Sequence, residues 1–92
     1  MSRYVVIVKQ EALADLKRLS TSEPKAFQKA LALISELYDH PRTGTGKPEP
    51  LKGGGGALWS RRITKKHRLI YEISESTVSV DVLSSYGHYD DK

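Results

Sequence analysis

The chain has 92 residues, of which 38% are hydrophobic, 15 are Lys or Arg, 11 are Asp or Glu and none is Cys. This length fits one small globular domain, residues 1–92, and excludes a two-domain enzyme. The absence of cysteine excludes a disulfide scaffold, a thiol nucleophile and a thiolate metal site. The longest purely apolar run, Tyr4 to Val8, is far shorter than the roughly 18 residues of a membrane span, and no export signal follows Arg3. We therefore expect a cytoplasmic protein without membrane contact.

The first half of the chain predicts one strand and a short helix. Tyr4 to Lys9 is β-branched and aromatic, and its unbroken apolar run is typical of a strand well inside a sheet. The helix that follows ends near Ser20, and a turn covers Thr21 to Glu23. Its apolar positions have the three-and-four spacing of an amphipathic helix: Ala12, Leu13, Leu16 and Leu19.

A second helix is predicted after this turn. Ser22 suits its N-cap, and Pro24 suits its first turn, where the missing N–H costs nothing. His40-Pro41 ends the helix, because proline disfavours the helical conformation at the residue before it. The apolar stripe consists of Phe27, Ala30, Leu31, Ile34, Leu37 and Tyr38.

The second half predicts a loop and three strands. Three prolines and six glycines among the sixteen residues from Pro41 to Gly56 indicate the loop. Alternating strands follow at Ala57 to Ile63, His67 to Ile73 and Thr77 to Leu83, with polar turns at residues 64–66 and 74–76. Short connections predict an antiparallel meander.

The last strand indicates how the sheet is layered. Its valines Val78, Val80 and Val82 alternate onto one face, opposite Ser79, Asp81 and Leu83. The order β-α-α-β-β-β therefore predicts an α+β fold, with an antiparallel sheet and two N-terminal helices packed on one face. The other face is expected to be open and basic.

Positive charge is concentrated in the middle of the chain. Between Pro41 and Arg68 there are eight basic residues and a single acidic one, Glu49. The basic residues are Arg42, Lys47, Lys52, Arg61, Arg62, Lys65, Lys66 and Arg68. Because a solvated surface usually mixes both signs, this stretch favours a polyanionic partner over an ordinary charged surface.

Several kinds of site find no support. His40, His67 and His88 are too scattered for a metal-ligand pair on one element. The glycines Gly53 to Gly56 lack the Lys-Ser/Thr that follows in a phosphate-binding loop, and no GxSxG motif is present. We therefore expect no metal and no cofactor, and the chemistry is left to Glu, His, Arg, Lys and Tyr.

Three co-linear motifs and the C-terminal end carry a family resemblance. The motifs are Gly46 to Lys52 (GKPEPLK), Leu58 to Ile63 (LWSRRI) and His67 to Tyr71 (HRLIY), followed by His88-Tyr89. In these segments the chain resembles the YoeB/Txe type of the RelE/ParE toxin superfamily. The resemblance implies a ribosome-dependent endoribonuclease that cleaves mRNA in the A site of the bacterial ribosome. It also implies a homodimer and a cognate Phd/YefM-type antitoxin.

The resemblance assigns roles to individual residues. Glu49 corresponds to the general base, Arg68 to the contact with phosphate and transition-state charge, and His88 to the general acid. Tyr89 corresponds to an orienting or stacking side chain. Lys52 and Arg62 correspond to positions that contact RNA phosphate or support the catalytic centre. The one-sided charge adds Lys47, Arg61, Lys65 and Lys66 as candidate RNA contacts.

Elementary chemistry supports the same catalytic set. RNA cleavage without metal needs a base for the 2′-hydroxyl, an acid for the leaving 5′-oxygen and cations for the charge on phosphorus. Each residue also has a plainer interpretation. Glu49 can be an ordinary surface carboxylate that forms a surface ion pair with Arg68, and His88 can be a solvated residue near the chain end.

The strand alternation adds further expectations. Arg61 and Arg62 are neighbours and must point to opposite faces. Trp59 alternates with Arg61 and is expected in the core or at a dimer contact, with stacking on a nucleobase as the alternative. Tyr71 is expected to pack in the sheet.

The hypothesis makes two structural predictions. The loop and the Gly87 to Tyr89 segment should meet at one edge of the open sheet face and bring Glu49, Arg68 and His88 into one cleft. An acidic antitoxin segment should cross the basic face. The alternative functions are a ParE-like inhibitor of a topoisomerase and a noncatalytic RNA-binding domain.

Overall fold

The computed structural model describes residues 3–85, which form two helices and five strands. In chain order these elements are β1 (Val5–Val8), α1 (Gln10–Ser22), α2 (Pro24–Leu37), β2 (Glu49–Pro50), β3 (Leu58–Arg62), β4 (His67–Ser74) and β5 (Thr77–Ser85). The predicted α+β class is confirmed. Within this part of the chain, neither helix is long and apolar enough to cross a bilayer.

The two helices are separated by a single residue. Helix α1 runs to Ser22, beyond its predicted end near Ser20, and only Glu23 lies between it and α2. The N-cap role predicted for Ser22 is therefore wrong. Its hydroxyl donates instead to the carbonyl of Arg18 (3.1 Å), one turn back in α1. Pro24 does begin α2, where its missing N–H leaves no hydrogen bond unmade.

The helices pack on one face of the sheet and bury a shared apolar core. Leu13 and Leu31 were expected on the buried stripes, but they are 53% and 41% exposed. Helix α2 buries Ala26 and Leu33 instead. The fully buried or nearly buried members of the core are Ala12, Leu16, Leu19, Ala26, Ala30, Leu33, Leu37, Ile63, Leu69, Tyr71, Ile73, Val78 and Val80.

The sheet is mixed rather than antiparallel, with strand order β1-β5-β4-β3-β2. Strand β1 pairs only with β5, and it does so in parallel, while the other neighbours are antiparallel. The prediction that β1 lies well inside the sheet is wrong, because the strand forms an edge. Val5 and Ile7 are 59% and 49% exposed there. The intervening helices allow this parallel return, which a short hairpin does not.

Strand β5 changes face at a bulge. Tyr71 pairs with Val80, but its neighbour Ile70 pairs with Val82, so Asp81 has no partner in the register. Val78 and Val80 lie in the core as predicted. Leu83, which was predicted on the opposite face, also packs against the core. The predicted alternation across the whole strand is thus wrong beyond Asp81, because the extra residue shifts the pleat by one position.

A two-residue strand inside the predicted loop forms the other edge of the sheet. Glu49 pairs with Ser60 and Pro50 with Trp59, in antiparallel register with β3. The pairing continues through a hydrogen bond from Leu51 N to the Leu58 carbonyl (2.8 Å). Proline is tolerated in this strand because its missing N–H lies at an edge. The strand fixes the backbone of Glu49 against the sheet.

Candidate active site on the outer face of the sheet

Neighbouring residues of β3 point to opposite faces of the sheet. Arg61 contacts Glu36 of α2, so it points to the helix side. Ser60 and Arg62 therefore point to the side away from the helices, which we call the outer face. The strand register extends this face to Glu49 in β2 and to Arg68 and Ile70 in β4.

Glu49, Arg62 and Arg68 thus lie on one face of three adjacent strands. Arg62 is paired with Arg68, and Glu49 is paired with Ser60, two residues from Arg62 along β3. Strand spacing and rise place the Cα atom of Glu49 about 8 Å from that of Arg62 and about 12 Å from that of Arg68. These side chains are long enough to reach one phosphodiester group. The same surface thus carries a carboxylate, a group able to accept a proton, and two guanidinium groups, which are suited to binding phosphate.

The outer face is only partly open. Glu49 and Arg62 are exposed, but Ser60, Arg68 and Ile70 are only 3%, 4% and 2% exposed. The expectation of an open face is therefore wrong for its centre. The exposed part is the edge formed by β2 and the adjoining side of β3.

The candidate lysines lie at both ends of β3: Lys52 near its start, and Lys47, Lys65 and Lys66 near its end. Lys47 and Lys52 flank β2 and are exposed. Lys65 and Lys66 lie in the turn between β3 and β4. Lys66 also approaches the helix layer, with its Nζ atom 3.5 Å from Glu23 Oε2. The exposed cations therefore frame the Glu49 edge from both ends.

Arg61 is not part of this surface. Its side chain is 0% exposed and forms an ion pair with Glu36 (Nη1 to Oε1, 2.7 Å). The prediction that Arg61 contacts RNA is incompatible with its position, because it lies on the helix side of the sheet and donates its hydrogen bonds to protein acceptors. Tyr71, also 0% exposed, accepts a hydrogen bond from Arg61 Nε (3.2 Å), as expected for a residue that packs in the sheet.

The ionisation of two neighbours follows from this network. Partial burial alone would raise the pKa of Glu36, but hydrogen bonds from Thr45 and Arg61 outweigh it and lower the pKa below its usual 4.5. Burial raises the pKa of the Tyr71 hydroxyl above its usual 10.0, although the hydrogen bond from Arg61 opposes the rise. Glu36 is therefore an anion and Tyr71 a neutral phenol at neutral pH.

The loop that leads to Glu49 follows a constrained path. Gly46 has φ +84°, and its carbonyl accepts a hydrogen bond from Arg62 N (2.6 Å). A Cβ atom at Gly46 would lie 2.8 Å from the Arg62 carbonyl oxygen, so only glycine fits there. Lys47 follows with φ 52°, a left-handed conformation that is uncommon for a residue with a side chain.

A second charged cluster ties the β3–β4 turn to the helices. His67 Nε2 lies 2.9 Å from Glu23 Oε2, at the junction between α1 and α2. This hydrogen bond is the main cause of the lowered pKa of Glu23, with Lys66 also contributing. Across residues 3–85, no group of three or more His, Asp or Glu side chains is arranged to hold a metal ion.

His88 and Tyr89 lie outside the described residues, as does the Gly87 to Tyr89 segment. Their predicted place in a cleft with Glu49 therefore stays a prediction.

Sequence reasoning missed the Arg61 network and the short strand β2. A signal for the first was present, because Trp59 and Arg61 alternate onto the same face of β3. Trp59 is half-buried against the core, and its Nε1 donates to the Gly56 carbonyl (3.0 Å). The expectation of Trp59 in the core was therefore the one sequence signal that pointed to burial of Arg61 on the same face, and it was not used. No strand pattern marked Glu49-Pro50.

Comparisons with known proteins agree on one family. The family model described as "YoeB-like toxin of bacterial type II toxin-antitoxin system" matches residues 8–89. Toxin YoeB of Escherichia coli K12 is 33% identical over 75 residues, which cover 82% of this chain and 89% of that protein. Toxin YoeB of Mycobacterium bovis is 38% identical over 68 residues, which cover 74% of this chain and 78% of that protein.

Solved structures show the same likeness. The YoeB/ParE toxin from Agrobacterium tumefaciens has a TM-score of 0.79 and 31% identity, with 89% of this chain and 98% of that chain covered. A heterotetrameric YoeB-YefM toxin-antitoxin complex from Staphylococcus aureus contains a chain with a TM-score of 0.73 and 26% identity, with 90% and 97% covered. With the family model matching most of its length, this chain belongs to the YoeB-like toxins of bacterial type II toxin-antitoxin systems.

Proposed function

We propose that this toxin is a ribosome-dependent endoribonuclease that stops translation by cleaving mRNA in the ribosomal A site. The observation that carries the proposal is the strand register, which aligns Glu49, Arg62 and Arg68 on the outer face. A domain that only binds RNA needs cations, but it has no need of a carboxylate held among them. Family membership supports the same function.

The proposed reaction is an internal transfer at one phosphodiester. Glu49 takes the proton from the 2′-hydroxyl, whose oxygen then attacks the adjacent phosphorus. The bond from phosphorus to the 5′-oxygen of the next nucleotide breaks, and His88 donates a proton to that oxygen. The upstream product ends in a 2′,3′-cyclic phosphate and the downstream product in a 5′-hydroxyl. These proton transfers use only the protein's own groups, so the proposed mechanism requires no metal ion from the toxin.

Charge on the phosphate is met by cations of the outer face. Arg68 stabilises the negative charge that grows on the phosphate oxygens in the transition state. Tyr89 orients or stacks on the substrate. The exposed cations Lys47, Lys52, Arg62, Lys65 and Lys66 contact the RNA backbone, which makes binding dependent on salt.

Chain connectivity supports the inclusion of His88. Strand β5 brings Ser84 beside Arg68 and Ser85 beside His67. Three residues further along the chain is His88, and three residues span at most about 11 Å. This chain length permits the proposed acid to reach a phosphate bound beside Arg68.

The proposed partners follow from the same surface. The ribosome and its mRNA present a dense array of phosphates to the exposed cations. We further propose that a Phd/YefM-type antitoxin neutralises this toxin by laying an acidic segment across the outer face, and that the toxin forms a homodimer. The YoeB-YefM complex and the YoeB dimer, both from S. aureus, support these two proposals.

The role of Glu49 is tested by replacing it with its uncharged isostere. Glu49→Gln should slow single-turnover cleavage of ribosome-bound mRNA about 10²- to 10⁴-fold, because it removes a proton-transfer group. Ribosome binding should be retained, since no cation is lost. The matched control is Glu72→Gln, because Glu72 is an exposed carboxylate of β4 on the same face. It should cleave at the wild-type rate.

The other outcomes are equally decisive. Wild-type rates in Glu49→Gln would contradict the proposed base. Ribosome binding without cleavage by the wild-type protein would favour the RNA-binding alternative, and inhibition of a topoisomerase without mRNA cleavage would favour the ParE-like alternative.

A further inference from the structure

Arg61 has every donor of its guanidinium group satisfied inside the protein. Nε donates to Tyr71 Oη (3.2 Å), and Nη1 donates to Glu36 Oε1 (2.7 Å) and the Thr45 carbonyl (3.3 Å). Nη2 donates to the carbonyls of Thr43 (2.8 Å) and His40. A guanidinium carries five N–H donors in a fixed planar fork, so this arrangement uses all of them.

Most of these acceptors belong to one short segment of chain. Three are backbone carbonyls between His40 and Thr45, in the stretch that leaves α2 and enters the loop. Tyr71 also binds this segment, because its hydroxyl donates to the Pro41 carbonyl (2.7 Å). Glu36 binds it too, because its Oε1 accepts a hydrogen bond from Thr45 N (2.9 Å). The side chains of Arg61, Tyr71 and Glu36 therefore fix the backbone of residues 40–45 from one side.

The fixed segment leads directly to the proposed base. Glu49 is the fourth residue after Thr45, and the Gly46 carbonyl between them is bound to Arg62 N (2.6 Å). On the downstream side of Glu49, Leu51 N donates a hydrogen bond to the Leu58 carbonyl (2.8 Å). The backbone is thus held on both sides of Glu49, and the segment just upstream of Gly46 is bound by a guanidinium on the opposite face of the sheet.

A simple structural cation does not need this geometry. Burial of a charge is costly, and a lysine could provide only three donors from one point. Planar, multidentate contact with loop carbonyls is a property of arginine alone. The donor set is therefore matched to the shape of the loop rather than to the charge of Glu36.

We propose that Arg61, supported by Tyr71, is a positioning residue that sets the catalytic placement of Glu49 from the helix side of the sheet. This inference rests on the proposed function, in which Glu49 is the general base. It predicts that loosening the Arg61 network moves the base without removing any group that touches RNA.

The test uses Tyr71→Phe, which keeps the buried ring and deletes the hydroxyl that joins Arg61 to Pro41. Hydrogen exchange should become faster at the amides of residues 42–47, while exchange in α1, β4 and β5 stays as in the wild type. The maximal single-turnover cleavage rate should fall about 10- to 100-fold, because small misplacement of a reacting group has such effects. The toxin concentration that gives half the maximal rate should not change.

The matched control is Tyr38→Phe. Tyr38 has an exposed ring at the end of α2, so this variant should leave both exchange and cleavage unchanged. A double variant sharpens the test further. If Tyr71 acts through Glu49, adding Tyr71→Phe to Glu49→Gln should reduce the cleavage rate by less than twofold, far from the product of the two single effects.

The outcomes separate this inference from the function on which it rests. If the wild-type protein does not cleave ribosome-bound mRNA, the proposed function fails and the positioning role fails with it. If the wild type cleaves and Tyr71→Phe cleaves at the same rate, only the positioning role is overturned. Unchanged exchange in residues 42–47, or fully multiplicative effects in the double variant, would also overturn it.

Discussion

The two faces of strand β3 use the same side chain in opposite ways. On the helix side, Arg61 is 0% exposed, and protein atoms accept all of its hydrogen bonds. On the outer face, the next residue, Arg62, is exposed and is paired with Arg68, one row along the sheet from Glu49. One arginine binds the backbone of residues 40–45, and its neighbour is exposed to solvent.

This difference shows that cationic residues in one basic segment need not share a function. The segment between Pro41 and Arg68 has eight basic residues, and its net charge favours a polyanionic partner. Burial removes Arg61 from that surface, and its charge is balanced by Glu36. The surface that remains is formed by residues on the outer face and at the two ends of β3.

Replacing each arginine by lysine should give the largest contrast in stability. Arg61→Lys should lower the free energy of unfolding by about 3 kcal/mol, because loop carbonyls lose their buried donors. Arg62→Lys should change it by less than about 0.5 kcal/mol, since an exposed site tolerates the exchange. Urea denaturation of both variants measures the difference. Equal effects at the two positions would contradict the comparison.

Acid should weaken the ion pair between Glu36 and Arg61 on the helix side of the sheet. The pKa of Glu36 is lowered below 4.5 in the folded protein, so its carboxylate favours folding at neutral pH. That contribution is present above the usual pKa, and it is lost as the pH falls through 4.5 and on towards the lowered value. The urea midpoint should therefore fall more in the wild type than in Glu36→Gln between about pH 6 and pH 3. Parallel curves for the two proteins would show that the pair does not respond to acid as described.

The smallest effect is expected where a cation pairs at the surface. Lys66 lies 3.5 Å from Glu23, and its side chain is 69% exposed. Lys66→Ala should change the free energy of unfolding by less than about 0.5 kcal/mol, because solvent and salt screen exposed pairs. Thermal unfolding at low and high salt checks this prediction. A loss comparable to that of Arg61→Lys would mean that burial does not separate the two kinds of cation.

Local patterns predicted the elements whose partners are close in sequence. The spacing in α2, Pro24 at its first position and the hairpins of β3, β4 and β5 all depend on neighbouring residues. The place of β1 does not, because its partner β5 is about seventy residues away. An apolar run predicts a strand equally well at the edge or the centre of a sheet, which is why the prediction of an interior β1 was wrong.

The residues of the candidate site were predictable in part from the sequence, but the contacts of Arg61 were not. The sequence predicted that Glu49 and Arg68 lie together and that Arg61 and Arg62 point to opposite faces, and the strand register agrees with both. The burial of Arg61 was harder to predict, because its acceptors are mostly backbone carbonyls of a loop, and a carbonyl is present at every residue whatever its side chain. Only the three-dimensional path of residues 40–45 shows that they converge on one guanidinium.

The most direct test of the account changes the RNA rather than the protein. A ribosome-bound mRNA in which the single nucleotide 5′ to the cut is 2′-deoxy lacks the proposed nucleophile, while its phosphates still meet the cations of the outer face. The account predicts that this mRNA is bound as well as the all-ribose mRNA and is not cleaved. Cleavage of the deoxy-substituted mRNA at an undiminished rate would contradict the proposed mechanism and the role of Glu49 as its base.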